Sequence, residues 1–247
     1  MSALDELAAV AHDCTRCPLA EGRTNVVFGM GDPTADLMFV GEGPGQQEDL
    51  QGLPFVGRSG QLLDRLMAQE MGLSRHHGVY IANVVKCRPP NNRDPLPAEI
   101  EACRPFLLDQ LRLVDPRVIV TLGNFAAKLL LDTQQGITKL RGAVYPFDGR
   151  LLVPTYHPAA VLRGGDSKLA EMRSDLVRAK QALTMDPPTT DRPAGAPPDG
   201  APGSAPTAAG APGSAPTAAD VPGSVPVAGV AAADPEPGPV SLFEQGS

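Results

Sequence analysis

No stretch of this 247-residue chain is long and apolar enough to span a bilayer, so no membrane span is expected. The first residues, MSALDELAAVAHDC, lack the basic start and apolar centre of a secretory signal, and the expected compartment is the cytosol. Two nucleotide-binding fingerprints are also missing. An apolar run ending at Val40 leads into GEGPGQQED, but Gln46 stands where G-x-G-x-x-G requires its last glycine. No Lys-Ser/Thr pair follows to complete a P-loop, and Glu42, Glu48 and Asp49 would repel a phosphate held there. Beyond Asp186 large apolar residues almost vanish, lysine is absent, and Arg192 is the only base.

That last shortage divides the chain. Ala, Pro and Gly supply about six in ten of the residues from Asp186 onward, too little apolar surface to offset the entropy of ordering. The expectation is a folded domain over residues 1–185 and a disordered spacer over 186–238. The spacer carries degenerate decapeptides, APGSAPTAAG, APGSAPTAAD and VPGSVPVAGV, and a terminal segment follows at 239–247. The net charge of −7 belongs mostly to the tail, where seven acids face Arg192 alone. The remainder holds 21 acids and 20 bases, a balance that argues against strong nonspecific polyanion binding.

Within the first 185 residues, nearly continuous apolar runs at Leu37–Val40, Val79–Val85, Arg117–Leu122 and Leu151–Tyr156 predict strands covered on both faces. Helical spacing connects them. One helix is predicted from an N-cap at Ser59, one after Pro97, one over Asn124–Leu131 and one after Asp166. The alternation predicts an α/β fold, a three-layer α/β/α sandwich around a mostly parallel four-stranded sheet.

Ligands of such sheets sit beyond the carboxyl ends of the strands. Those ends carry GEGPG, Asn83 to Lys86, Gly123-Asn124 and His157-Pro158, so a carboxylate, an amide and an imidazole converge on one edge. Cys14 and Cys17 form one C-x-x-C, while Cys87 and Cys103 come from separate points. Without a second C-x-x-C or paired histidines, the spacing suits a [4Fe–4S] cluster better than a zinc ribbon, with zinc or free thiols as the alternatives. A cluster would fix the loop KCRPPNNR, whose Lys86, Arg88 and Arg93 then suit the gripping of a phosphodiester backbone.

GEGPGQQED, LPFVGRSGQLL, IANVVKCRPPNNRDP and YHPAAVLR occur in order and, with the four cysteines, closely resemble the family 4 uracil-DNA glycosylases over residues 3–183. This is the iron–sulfur branch of that superfamily. The resemblance implies removal of uracil from DNA without strand cleavage and a [4Fe–4S] cluster on Cys14, Cys17, Cys87 and Cys103. It implies a flipped base stacked on Phe55, read by the Asn83 amide and approached closely by backbone at Gly41 and Gly43. His157 would donate to uracil O2, and Glu42 or Glu48 would face the cationic sugar or orient water, with Glu42 favoured for that role and Glu48 for positioning. Leu162 would fill the vacated stack and Arg163 would touch phosphate. Ala160 departs from the aromatic found there in many relatives. With no lysine in these motif turns except Lys86, a Schiff-base mechanism is not expected.

Pro239-Val-Ser-Leu-Phe243 resembles the bacterial sliding-clamp-binding pentapeptide at its last three positions, which makes Leu242 and Phe243 the expected clamp contacts. A flexible tether of this kind would concentrate the enzyme near replicating DNA. A monomer is expected. The rival readings are a glycosylase with another base preference and a noncatalytic cluster-containing DNA binder.

Overall fold

The computed structural model describes residues 1–186. The expected spacer from Pro187 to Gly238 and the terminal segment with Leu242 and Phe243 lie outside the described residues. The strands are β1 (Met30–Gly31), β2 (Leu37–Gly41), β3 (Val79–Asn83), β4 (Val118–Leu122), β5 (Tyr145–Phe147) and β6 (Arg150–Thr155). The helices are α1 (Ala3–His12), α2 (Leu19–Gly22), α3 (Gln46–Gln51), α4 (Arg58–Leu66), α5 (Pro97–Val114), α6 (Asn124–Leu131), α7 (Ile137–Leu140) and α8 (Pro158–Ala182).

The sheet runs β1-β3-β2-β4-β6-β5 and has six strands, not the four expected. The four expected strands form its parallel centre, and β1 and β5 add antiparallel edges. These edges are two and three residues long, and β5 contains Pro146, so neither presents a readable apolar run.

Alternation along β2 builds both layers. Leu37 and Phe39 point into a core shared with α4, α7 and α8, while Met38 and Val40 enter one shared with α1, α5 and α6. A buried polar cluster ties one helical layer to the sheet. Asp175 of α8, fully buried, accepts from Arg141 at 2.9 and 3.0 Å and from the Thr155 hydroxyl at 2.8 Å. Removing one partner of such a buried pair costs about 3–5 kcal/mol.

Three element boundaries differ from expectation. β3 stops at Asn83, because Val84 and Val85 turn their amides to the carbonyls of Gly41 and Glu42. The N-cap of α4 is Gly57 rather than Ser59, which lies inside the helix. The last helix begins at Pro158, well before Asp166, and contains a break at Gly165 (φ 72°, ψ −163°).

Candidate active site

The carboxyl ends of β2, β3 and β6 open into a cleft of ≈ 560 Å³ whose lining includes Glu42, Glu48, Phe55, Asn83, His157 and Arg163. Parallel pairing places Gly41 in register with Asn83 across β2 and β3. A side chain at Gly41 would run into both the Asn83 Oδ1 and the Phe55 ring. A side chain at Gly43 would press to 2.7 Å from Val85 Cγ2. Glycine at these positions lets backbone form the wall of a slot.

Asn83 is 1% exposed, and its Oδ1 has no hydrogen-bond partner among the described residues. A buried acceptor left unsatisfied costs about 1–3 kcal/mol, which a ligand N–H at this point would recover. Phe55 sits beside it in the left-handed region at φ 55°, a conformation that disfavours an aromatic residue by about 1–2 kcal/mol. Its ring lies 5.7 Å from the His157 imidazole, tilted by 34°. Glu48 holds the adjoining loop, its Oε1 accepting from the amides of Val56 and Gly57, both at 2.9 Å.

His157 is the N-cap of α8, and its Nδ1 accepts from the Ala159 amide at 3.2 Å. That bond leaves the proton on Nε2. Burial pushes the imidazole down to about 4, with the Arg163 charge acting in the same direction and Glu48 opposing. The group is therefore a neutral Nε2–H donor across the physiological range. Glu42 moves the other way, raised to about 7 by burial and then by the nearby Asp94 carboxylate. It is poised to take a proton near neutrality.

The expected basic grip is only partly present. Lys86 is 2% exposed, its ammonium turned inward to the Asn83 carbonyl at 2.7 Å and to Gln110 Oε1, and burial lowers it to about 8. It cannot touch a phosphate; the apolar run before it carries it into the core. Arg93 forks onto Glu99 at 2.6 and 2.9 Å, and Arg88 donates to Asn92 at 2.7 Å. Arg58 and Arg163 line the cleft, exposed, with no protein partner among the described residues. Leu162, 44% exposed, stands next to Arg163.

All four cysteines line one small cavity with Arg16, Arg23, Lys86 and Phe106. The Lys86 amide donates to Cys103 Sγ at 3.2 Å, and Arg23 reaches Cys87 Sγ at 3.5 Å. Among the described residues no three such side chains close on a point that would hold a single metal ion.

The family model of the Uracil DNA glycosylase superfamily matches residues 28–179. The chain belongs to this superfamily. It is 48% identical over 175 residues to a Type-4 uracil-DNA glycosylase of Thermotoga maritima, covering 69% of this chain and 89% of that one. A Type-4 enzyme of Saccharolobus solfataricus is 42% identical over 199 residues, covering 77% and 91%. A Type-5 uracil-DNA glycosylase of Thermus thermophilus is 37% identical over 151 residues, covering 53% of this chain and 68% of its own. The membership is of the type-4 group.

Sequence reasoning missed two groups, one lining this uracil-DNA glycosylase cleft and one outside it. Asp94 adds a second carboxylate near Glu42, and its NRDP context read only as part of a loop. Arg75, in the stretch SRHHG, gave no signal at all, yet it donates to the carbonyls of Pro54 and Phe55. Only the folded path of the chain brings it there.

Proposed function

We propose that the protein flips uracil out of DNA and hydrolyses its N-glycosidic bond, releasing the free base and leaving an abasic site. The observation that carries this reading is the orphaned Oδ1 of Asn83, buried at a slot bordered by Phe55 and Gly41. An amide accepts from uracil N3–H and donates to O4, while cytosine presents the opposite pattern at position 4. Flipping costs a few kcal/mol, and stacking on Phe55 offsets about 1–3 kcal/mol of it.

The C1′–N1 bond then breaks with its electron pair leaving on the base. The neutral His157 Nε2–H donates to uracil O2 as that charge builds. Water adds to the cationic C1′ and gives its proton to Glu42. Glu48, committed to two amides, holds the Phe55 loop in place. Arg163 takes a phosphate, and Leu162 enters the gap left in the stack. Arg88 and Arg93 serve DNA through what their intramolecular partners leave free.

Cys14, Cys17, Cys87 and Cys103 fit a [4Fe–4S] cluster. Thiols spread around a cavity suit a polynuclear centre better than one zinc ion, and Arg16, Arg23 and Lys86 provide positive charge beside the thiolates. When bound, the group supplies iron–thiolate links joining the N-terminal segment, the loop after β3 and α5. The tail residues Leu242 and Phe243 are read as a sliding-clamp ligand, and the enzyme as a cytosolic monomer, on sequence pattern alone.

The deciding experiment incubates purified protein with a uracil-containing oligonucleotide and measures free uracil and alkali-labile sites. Release of uracil is expected, and binding without release would overturn the reading. Iron content and the visible spectrum of the same sample test the cluster. A terminal peptide that binds purified clamp, weakened by Phe243→Ala, tests the tail.

A further inference from the structure

The carbonyl of Phe55 is held by a residue outside every motif of the cleft. Arg75 Nη2 donates to it at 2.6 Å, and Nη1 donates to the Pro54 carbonyl at 3.2 Å. The same guanidinium forks onto Asp64 of α4, with Nε–Oδ1 at 2.9 Å and Nη2–Oδ2 at 2.7 Å. Its side chain is 13% exposed. Asp64 anchors one edge of the fork, and the remaining donors reach the two carbonyls at the left-handed residue, with Nη1 also 3.5 Å from Met30 Sδ.

That residue cannot hold itself. Phe55 has a positive φ of 55° with no glycine to relieve it, and such strain persists only where surroundings over-determine it. Glu48 captures the amides of Val56 and Gly57 from the cleft side. Arg75 captures the carbonyls of Pro54 and Phe55 from the other. Gly60 completes the nest, because a side chain there would overlap the Phe55 carbonyl. The backbone around one aromatic ring is thus gripped by an anion on its amides and a cation on its carbonyls.

We propose that Arg75 is a positioning residue that locks Phe55 in its strained conformation and so presets the ring for stacking on the extruded base. The consequence for activity rests on the uracil-excising reading above; the lock itself does not. Its test is therefore made first without substrate. The chain has no tryptophan, so Phe55→Trp introduces a single indole at the stacking position, excited beyond the absorption of the tyrosines. Adding Arg75→Gln should lower the steady-state anisotropy of that emission, and unchanged anisotropy would overturn the proposal.

A double-mutant cycle on uracil release then measures the coupling. Arg75→Gln should lower kcat/KM by about tenfold in the parent protein, as expected for a slightly misplaced stacking group. It should cost nothing further in a Phe55→Ala background, whereas independent, multiplying losses would refute action through the ring. Arg75→Lys retains the charge beside Asp64 but lacks the fork. It should fold normally, by circular dichroism and Tm, and show the same loss; full activity in this variant would also refute the proposal. If Arg75→Gln fails to fold, Arg75→Lys carries both readouts.

Discussion

The Phe55 ring and the His157 imidazole face each other across 5.7 Å at 34°. One comes from a loop gripped on its backbone, the other from the cap of a helix. Gly41 lies at the foot of this arrangement, where a methyl group would meet both the Phe55 ring and the Asn83 amide. Gly41→Ala should therefore lower stability by about 1–3 kcal/mol, the usual cost of overpacking. Its loss of uracil release should exceed what that destabilisation explains. Thermal melts beside excision kinetics test this, and a variant with parent activity would show that the slot is not where the base sits.

His157 should act without being protonated. Its pKa of about 4 means that no activity limb belongs to it between pH 5 and 8. His157→Ala should lower kcat by about 10²–10³-fold, the loss typical of one preorganised donor. An acid limb near pH 6.5 that disappears in His157→Gln would contradict the neutral-donor role. Stability follows the same titration. The folded pKa is depressed below that of the unfolded chain, so the contribution is present above pH 6.5 and is lost as pH falls toward 4.

Glu42 carries the opposite dependence. With a pKa raised to about 7, its carboxylate form accumulates through neutrality, and excision should rise with pH and level off above about 7. Glu42→Gln should remove that limb and lower kcat by about 10²–10⁴-fold. In stability the sign reverses. A carboxyl whose folded pKa is raised favours the fold at low pH, and that advantage is lost as pH climbs through 7. Glu42→Gln should accordingly raise Tm at pH 8 and change it little at pH 5. Equal shifts at both values would show that burial of the charge is not what moves the group.

Salt dependence separates Arg163 from Lys86. Arg163 is exposed on the cleft and free to neutralise a phosphate, so Arg163→Ala should reduce the slope of log affinity against log salt by about 0.9 on duplex DNA. Lys86 is buried against Asn83 and Gln110. Lys86→Met should leave that slope unchanged while lowering Tm. Affinity titrations at several salt concentrations distinguish the two.

The centre of the fold was legible because strands buried on both faces read as continuous apolar runs, and β2, β3, β4 and β6 do. The edges were not, since Met30-Gly31 and Tyr145-Pro-Phe147 are too short to show a period. The cleft residues stood out as polar side chains at strand ends beside glycines. Lys86 misled because charge in a loop sequence says nothing of direction, and the turn after Asn83 points it inward. Arg75 was invisible for a related reason. The partners that tie it to Phe55 are backbone carbonyls 20 and 21 positions away, and carbonyls leave no trace in sequence.

The break in α8 has a mechanical meaning. Gly165 adopts φ 72° and ψ −163°, a region essentially closed to residues with a Cβ, and it divides the helix after a short first piece. His157 caps that piece, and Leu162 and Arg163 lie on it, so all three share one short run of backbone that ends at Gly165. In the proposed reaction, the groups that meet the base and the duplex therefore come from the same short segment.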